Sequence, residues 1–297
     1  MNITTPLGAQ WSAFRRDGIA HAALWLLTLM VLVAIAAPLL SPQDPYDLAQ
    51  LDILDARQPP GTPAGADFRY WLGSDDQGRD MLSAILHGLR ISFGVALLAT
   101  ALALALGLAA GLAAARAGGW IDLALMRLVD LQLSFPAILV ALILLALSGP
   151  GLDRIVIALV VVQWAYYART VRAVAVTELQ REYIEAAVCA GVRPLRLLWR
   201  HLLPNVLPPL LVVATVQMAQ AVALEATLSF LGLGLPVTEP SLGLLISNGY
   251  THLLSGKYWI SVFPGIALLA MIVSINLVGD RLREQLDPRL LAGTPQR

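Results

Sequence analysis

The chain has 297 residues, of which 58% are hydrophobic and only 13% charged, with a formal net charge of zero and a mean hydropathy of +0.71. A soluble domain carries about 25% charged residues, so this is the composition of a membrane protein, and its neutral balance gives nucleic acid no basic field to find. The single cysteine, Cys189, excludes an intrachain disulfide and a cysteine-built metal cluster.

Little in the sequence supports catalysis. The only lysine, Lys257, lies in Gly256-Lys257-Tyr258, so there is no Gly-Lys-Ser/Thr phosphate loop. The four histidines, His21, His87, His201 and His252, show no HExxH spacing, and no Gly-x-Ser-x-Gly elbow is present. The expectation is a non-enzymatic chain with no catalytic residue, metal or cofactor of its own.

In chain order, residues 1–18 form a cytoplasmic tail that includes Arg15 and Arg16. The run 19–40 is long enough to span a bilayer and closes at Pro38 without a small-residue cleavage pattern, so it reads as a retained first transmembrane helix. Residues 41–88 form an extracytoplasmic insert with eight aspartates and a middle rich in Pro and Gly, expected to be a small, mostly irregular subdomain laid against the bundle. Further spans are expected at 89–115, 121–148, 153–177, 205–233 and 259–281, making six in an all-α bundle; residues 89–290 form the core and 291–297 a cytoplasmic tail. The third span carries Asp122, Arg127 and Asp130 in its first turns and is expected to kink at Pro136. Arginine distribution sets the orientation: with the N-terminus inside, fourteen of the 20 basic residues fall on the cytoplasmic side and six outside, so both termini are cytoplasmic.

Two features within the spans carry structural information. Gly107-x-x-x-Gly111, extended by alanines at 103, 110, 113, 114 and 115, allows another helix to approach closely. Glu225 is an ionisable group deep in the fifth span, where it must face protein or water; a hydrogen bond to a neighbouring helix or to the Gly232–Gly234 backbone competes with contact to a cargo amine. Gln163, Gln217 and Gln220 are further polar candidates for lining a path. An ion-coupled carrier would want paired intramembrane acids or an inverted repeat, and neither is evident.

Between the fourth and fifth spans, the cytoplasmic stretch 178–204 is crowded with charge. It reads as an amphipathic helix, a turn at Gly191, and a second helix opening at Pro194 with Leu195, Leu198, Trp199 and Leu202 on one stripe, Arg193, Arg196 and Arg200 on another, and an end at Pro204. Taken alone, such a helix could simply lie on anionic lipid. Its layout, Glu185-Ala186-Ala187, three residues, Gly191, twelve residues, Pro204 preceded by Leu203, resembles the EAA loop of bacterial ABC import permeases, departing from it only at His201, where isoleucine is usual. Two more stretches narrow the resemblance to the dipeptide/oligopeptide permeases, C-type subunit: Trp71-Leu72-Gly73-Ser74-Asp75-Asp76-Gln77-Gly78-Arg79-Asp80 running on to Gly88-Leu89-Arg90-Ile91-Ser92, and Thr227-Leu228-Ser229-Phe230-Leu231-Gly232-Leu233-Gly234 followed by Pro240-Ser241-Leu242-Gly243.

That resemblance implies a type I ABC importer permease of six transmembrane helices in the bacterial inner membrane. It would pair with a second, homologous permease, receive di- or oligopeptides from a periplasmic or lipid-anchored binding protein, and take its motion from one or two cytoplasmic ATP-binding subunits, which hold the ATP and magnesium. Relatives with the same motifs carry chelated nickel or glutathione, so the cargo class is left between these. Glu182, Glu185, Ala186, Ala187, Gly191 and Pro204 are implied as the coupling residues, whereas Asp75, Asp76, Arg79 and Asp80 are read as fixing the insert to the bundle.

Overall fold

The computed structural model describes residues 18–47, 51–64, 68–236 and 238–286. The tails, Arg15 and Arg16 included, lie outside the described residues except for Gly18. The architecture is a bundle of long apolar helices. Helix α1 (Gly18–Ile35) is followed by the one-turn α2 (Ala37–Leu40), and the insert carries a hairpin of β1 (Thr62–Ala64) and β2 (Phe68–Tyr70), antiparallel with Thr62 opposite Tyr70. The core helices are α3 (Met81–Ala117), α4 (Gly119–Ser134), α5 (Ala137–Ser148) and α6 (Leu152–Leu179). Then come the short α7 (Glu182–Cys189) and α8 (Pro194–Leu197), the long α9 (Leu203–Phe230), α10 (Leu242–Tyr250) and α11 (Trp259–Leu286).

Among the described residues five helices are long and apolar enough to cross a membrane, and the pair α4 and α5, bent by 89° at a short break, brings the number to six if it is taken as one broken span. Helix α5 has 12 residues, about 18 Å, too short for a ~30 Å hydrocarbon core unaided. The expected kink is thus a right-angle break. Phe135 is extended, as a residue before proline prefers, and Pro136 caps α5. The two acids that cloud this span in sequence are matched across the bundle: Arg172 of α6 donates two 2.6 Å hydrogen bonds to the Asp122 carboxylate of α4, and Arg169 lies 2.5 Å from Asp130. A bidentate pair of this kind fixes orientation as well as distance.

Three boundaries differ from the sequence reading. Helix α3 begins at Met81 instead of residue 89, because Asp80 caps it: the Asp80 carboxylate accepts from the Ser83 amide at 2.8 Å and the Ser83 hydroxyl at 2.7 Å. Hydropathy locates where a helix enters lipid, whereas a cap locates where it starts. Further along, Pro204 does not end the second cytoplasmic helix. It occupies the first turn of α9, where its missing N–H costs no bond, and a π-turn over Leu198–Leu202, closed by the Leu203 amide on the Leu198 carbonyl, runs into it. That wide turn shifts the register, so Leu202 is buried but Trp199 is 63% exposed and leaves the expected apolar stripe. Lastly, the segment after α9 folds into α10, packed on α9 and α11; the described part of the insert is mostly irregular, as expected, with the β1–β2 hairpin and a 3-10 turn at Ile53–Asp55 as its regular parts ahead of α3.

Helix α6 sits at the centre, with 56% of its most apolar window buried against 22% for α1. Its closest neighbour is α3, and the Gly107-x-x-x-Gly111 face is the reason. A Cβ built at Gly107 would sit 2.6 Å from the Trp164 carbonyl oxygen, and one at Gly111 2.6 Å from that of Ala168. Neither backbone can yield without separating the helices.

The insert is locked to the opposite end of the bundle from α7. Arg79 and Asp75 form a fully buried pair at 2.6 Å, and Asp75 also accepts from the backbone amides of Gln77 and Arg79. The Trp259 indole donates to the Ser74 carbonyl at 3.1 Å, His252 Nε2 lies 3.0 Å from Asp76, and the Asp80 amide donates to Gln43. Gly73, at φ +83°, would drive a Cβ to 2.6 Å from that indole ring. The acidic motif is therefore consumed in anchoring. Burial pushes the Asp80 carboxyl above its usual range, opposed by its bonds from Ser83.

Overpacking at the α3–α6 crossing is expected to be costly. Gly107→Leu and Gly111→Leu should each destabilise the detergent-purified protein by about 1–3 kcal/mol, read as a lowered thermal midpoint. Gly94→Ala on the same helix, where a Cβ meets nothing within 4 Å, should leave it unchanged.

Candidate functional site

Two regions combine exposure with polar chemistry. The first is α7 and the turn after it. The chain leaves α6 through Gln180 and an extended Arg181 (φ −79°, ψ 141°), which redirects it into α7. Ile184 alone on that helix is buried, at 2% exposure, and seats it on the bundle. Tyr183 clamps the junction: its hydroxyl donates to the Glu178 carboxylate at 2.8 Å and accepts from the Asn205 amide at 2.9 Å, joining the end of α6 to the start of α9. Desolvation, then the Glu178 carboxylate, hold this phenol above its usual pKa.

The rest of α7 faces outward. Glu182, Glu185 and Ala186 are exposed, and Ala187 is half-buried. Neither glutamate side chain makes a hydrogen bond or ion pair among the described residues. Val188 is 59% exposed beside them. Gly191 closes the helix at φ +73°, with the Val192 amide bonded back to the Ala187 carbonyl at 3.1 Å. A Cβ there would meet nothing within 4 Å, so this glycine serves the left-handed turn and not packing. Glu182, Glu185, Ala186, Ala187 and Gly191 thus form one surface; Pro204 stands apart from it, exposed in the first turn of α9.

The second region is a cleft of about 390 Å³ between α5, α6 and α9, and it brings together Gln163, Gln217 and Gln220 with Tyr166 and Thr227. The Gln163 amide nitrogen donates to the Gln217 carbonyl at 2.9 Å, which fixes the orientation of that side-chain amide. Gln220 is exposed. Tyr166 and Thr227 were not singled out by sequence reasoning; the available signal was helical spacing, since Gln220, Leu224 and Thr227 recur on one face of α9.

Glu225, by contrast, does not line the cleft. It is fully buried, accepting from Ser92 of α3 and Ser229 of its own helix, both at 2.8 Å, with Ser241 facing the same carboxyl group. The neighbouring-helix alternative describes it, and cargo contact does not. The i, i+4 spacing of Glu225 and Ser229 was legible; the partner on α3, 133 positions away, was not.

Comparison with known proteins accords with this layout. Residues 106–292 match the family model described as the binding-protein-dependent transport system inner membrane component, and residues 5–60 match the N-terminal TM domain of oligopeptide transport permease C. The chain is 37% identical over 286 residues to the di/tripeptide transport system permease protein DppC of Pseudomonas aeruginosa, an alignment covering 96% of this chain and 93% of that one. It is 36% identical, with 96% and 94% coverage, to the dipeptide transport system permease protein DppC of Escherichia coli K12. Among solved structures it is similar to the inward-facing MetNI methionine ABC transporter, with a TM-score of 0.56 and 23% identity over 69% of this chain and 97% of that one. At that identity the likeness establishes the fold, a type I ABC importer permease.

Glu225→Leu should destabilise the protein by about 1–3 kcal/mol, because the Ser92 and Ser229 hydroxyls lose their buried acceptor; Glu225→Gln, which keeps an acceptor, should cost less in the same thermal unfolding measurement. Tyr183→Phe should leave the midpoint nearly unchanged but raise hydrogen exchange selectively over residues 182–192, since it removes the clamp and not the core.

Proposed function

We propose, since this chain belongs to the binding-protein-dependent transport system inner membrane components, that it is the permease subunit through which an ATP-driven importer passes di- or oligopeptides. Support for the cargo comes from the dipeptide permeases that match it along nearly the whole chain. The chain itself holds no ATP, magnesium or other cofactor in this reading; hydrolysis belongs to one or two cytoplasmic partners, and cargo arrives on an external binding protein. A second, homologous permease completes the path.

The observation that carries the mechanism is the outward face of α7. A short helix held by one buried side chain, with small alanines, two unpartnered glutamates and a free glycine turn, has the form of a docking knob. Alanines let it seat closely in a groove, and the carboxylates orient it by ionic contact. Because Tyr183 bonds to both α6 and Asn205 of α9, a push on α7 is delivered to the two helices that wall the glutamine cleft. Closure of the paired ATPases would then tilt α6 and α9 and alternate the cleft's access between the two sides. The arginine bias supports a cytoplasmic α7 and cytoplasmic termini, and the family supports the bacterial inner membrane as the location. Glu182, Glu185, Ala186, Ala187 and Gly191 are the coupling residues, and Gln163, Gln217 and Gln220 line the path.

Gly191→Asp should leave the permease folded and in the membrane, because the side chain meets open space and aspartate tolerates the left-handed φ of +73° at the cost of local strain in the turn, yet reduce recovery of the ATPase subunits in gentle co-purification and lower peptide uptake roughly tenfold. Normal uptake by this variant would remove the coupling role assigned to α7.

A further inference from the structure

We propose that the α5–α6–α9 cleft recognises its cargo through main-chain peptide groups, with Gln163 as the acceptor for a peptide N–H. This rests on the peptide-import reading above and adds to it the chemical group that is read.

Three observations lead here. Gln163 is 2% exposed, and although its amide nitrogen is satisfied by the Gln217 carbonyl at 2.9 Å, its Oε1 is buried with no hydrogen-bond partner among the described residues. A buried acceptor left unpaired is costly, and here the side chain that carries it is part of the cleft wall. The complement of that oxygen is a donor, and because Oε1 has no accessible surface in this state, a cargo N–H reaches it when the cleft walls move apart. Second, no residue lining the cleft is Asp, Glu, Lys, Arg or His, so neither a cargo's charged termini nor a charged side chain meets an opposite charge. Third, the polar lining is dominated by three side-chain amides, from Gln163, Gln217 and Gln220. Each offers both a donor and an acceptor, the complement of a peptide group, and peptide groups are what cargos of different sequence have in common. A volume near 390 Å³ falls in the usual range for small-ligand sites. Neutral hydrogen bonds also suit a passage, where binding must be weak enough to release.

The Gln163 bond to α9 offers a plainer role, tying two helices together. That role uses Nε2 and leaves Oε1 unexplained, so the two can be separated by experiment.

The test uses the complete transporter, with its second permease, ATPases and binding protein, in vesicles. Uptake of alanyl-alanine is compared with that of its depsipeptide analogue, in which the peptide N–H is replaced by an ester oxygen, each supplied on binding protein loaded to saturation. Wild type should move the ester roughly five- to tenfold more slowly. Gln163→Met should slow the amide cargo by a similar factor and show no further loss with the ester, the non-additivity expected when both changes remove one interaction. Gln220→Met, at an exposed position of the cleft, should slow the amide cargo as well.

Equal slowing of both cargos by Gln163→Met would reduce Gln163 to a helix tie and overturn the inference, as would no slowing at all. Loss of the second permease from the Gln220→Met complex would assign the cleft to the subunit interface, with the same consequence. If wild type moves neither cargo, the peptide-import reading itself falls and this inference with it.

Discussion

The distance between α3 and α6 governs the rest of the bundle. With carbonyl oxygens of α6 lying where a Cβ of Gly107 or Gly111 would go, the two helices touch backbone to backbone. Lipid tails are as apolar as leucine, so burying apolar surface does little to bring helices together in a membrane; close van der Waals contact must do it. That contact places α6 at the centre and rotates its remaining faces outward. One face turns Arg169 and Arg172 toward the acids of α4, which is what allows a charged helix with a right-angle break to count as part of a span. Another turns Gln163 toward α9.

Polar groups in the spans fall into two sets. In one set every group is spent on structure: the Glu225 carboxyl is held by serines on α3 and its own helix, and Asp122 is held by Arg172. In the other set, polarity is left over. Gln163 has an unpaired oxygen and Gln220 is open to the cleft, and outside the spans the side chains of the α7 glutamates have no partner among the described residues. Since desolvating a polar group without a bond is unfavourable, residual polarity marks surfaces that other molecules complete. A lone acid at membrane depth, which in sequence draws most attention, here belongs to the first set.

The legible part of this fold was what repeats or what punctuates. Apolar runs gave the spans, Pro136 the break, and Gly191 the turn, because each acts through local backbone physics. The coupling stretch could be located for the same reason: its glycine and prolines act within a few residues. What could not be read was anything requiring two distant segments at once. The start of α3 depended on whether Asp80 was free to cap or bound elsewhere. The orientation of Trp199 depended on a π-turn over Leu198–Leu202 that no apolar periodicity announces. Glu225 could be assigned only when Ser92 came into view.

The same division explains why the glutamines were weak candidates in sequence and are stronger ones in space. A single glutamine in a span has many ways to be satisfied, so its type carries little information. Three of them converging on one cleft from α6 and α9, without a lining acid or base, is a selection of chemistry: amides where charges were available. A route that must accept cargos differing in side chain, and let each go, has reason to be built that way. Its walls must also move, and α6 and α9 are the helices that Tyr183 ties to α7. Recognition and drive would therefore meet on the same pair of helices, with the α3–α6 crossing as the rigid side against which they turn.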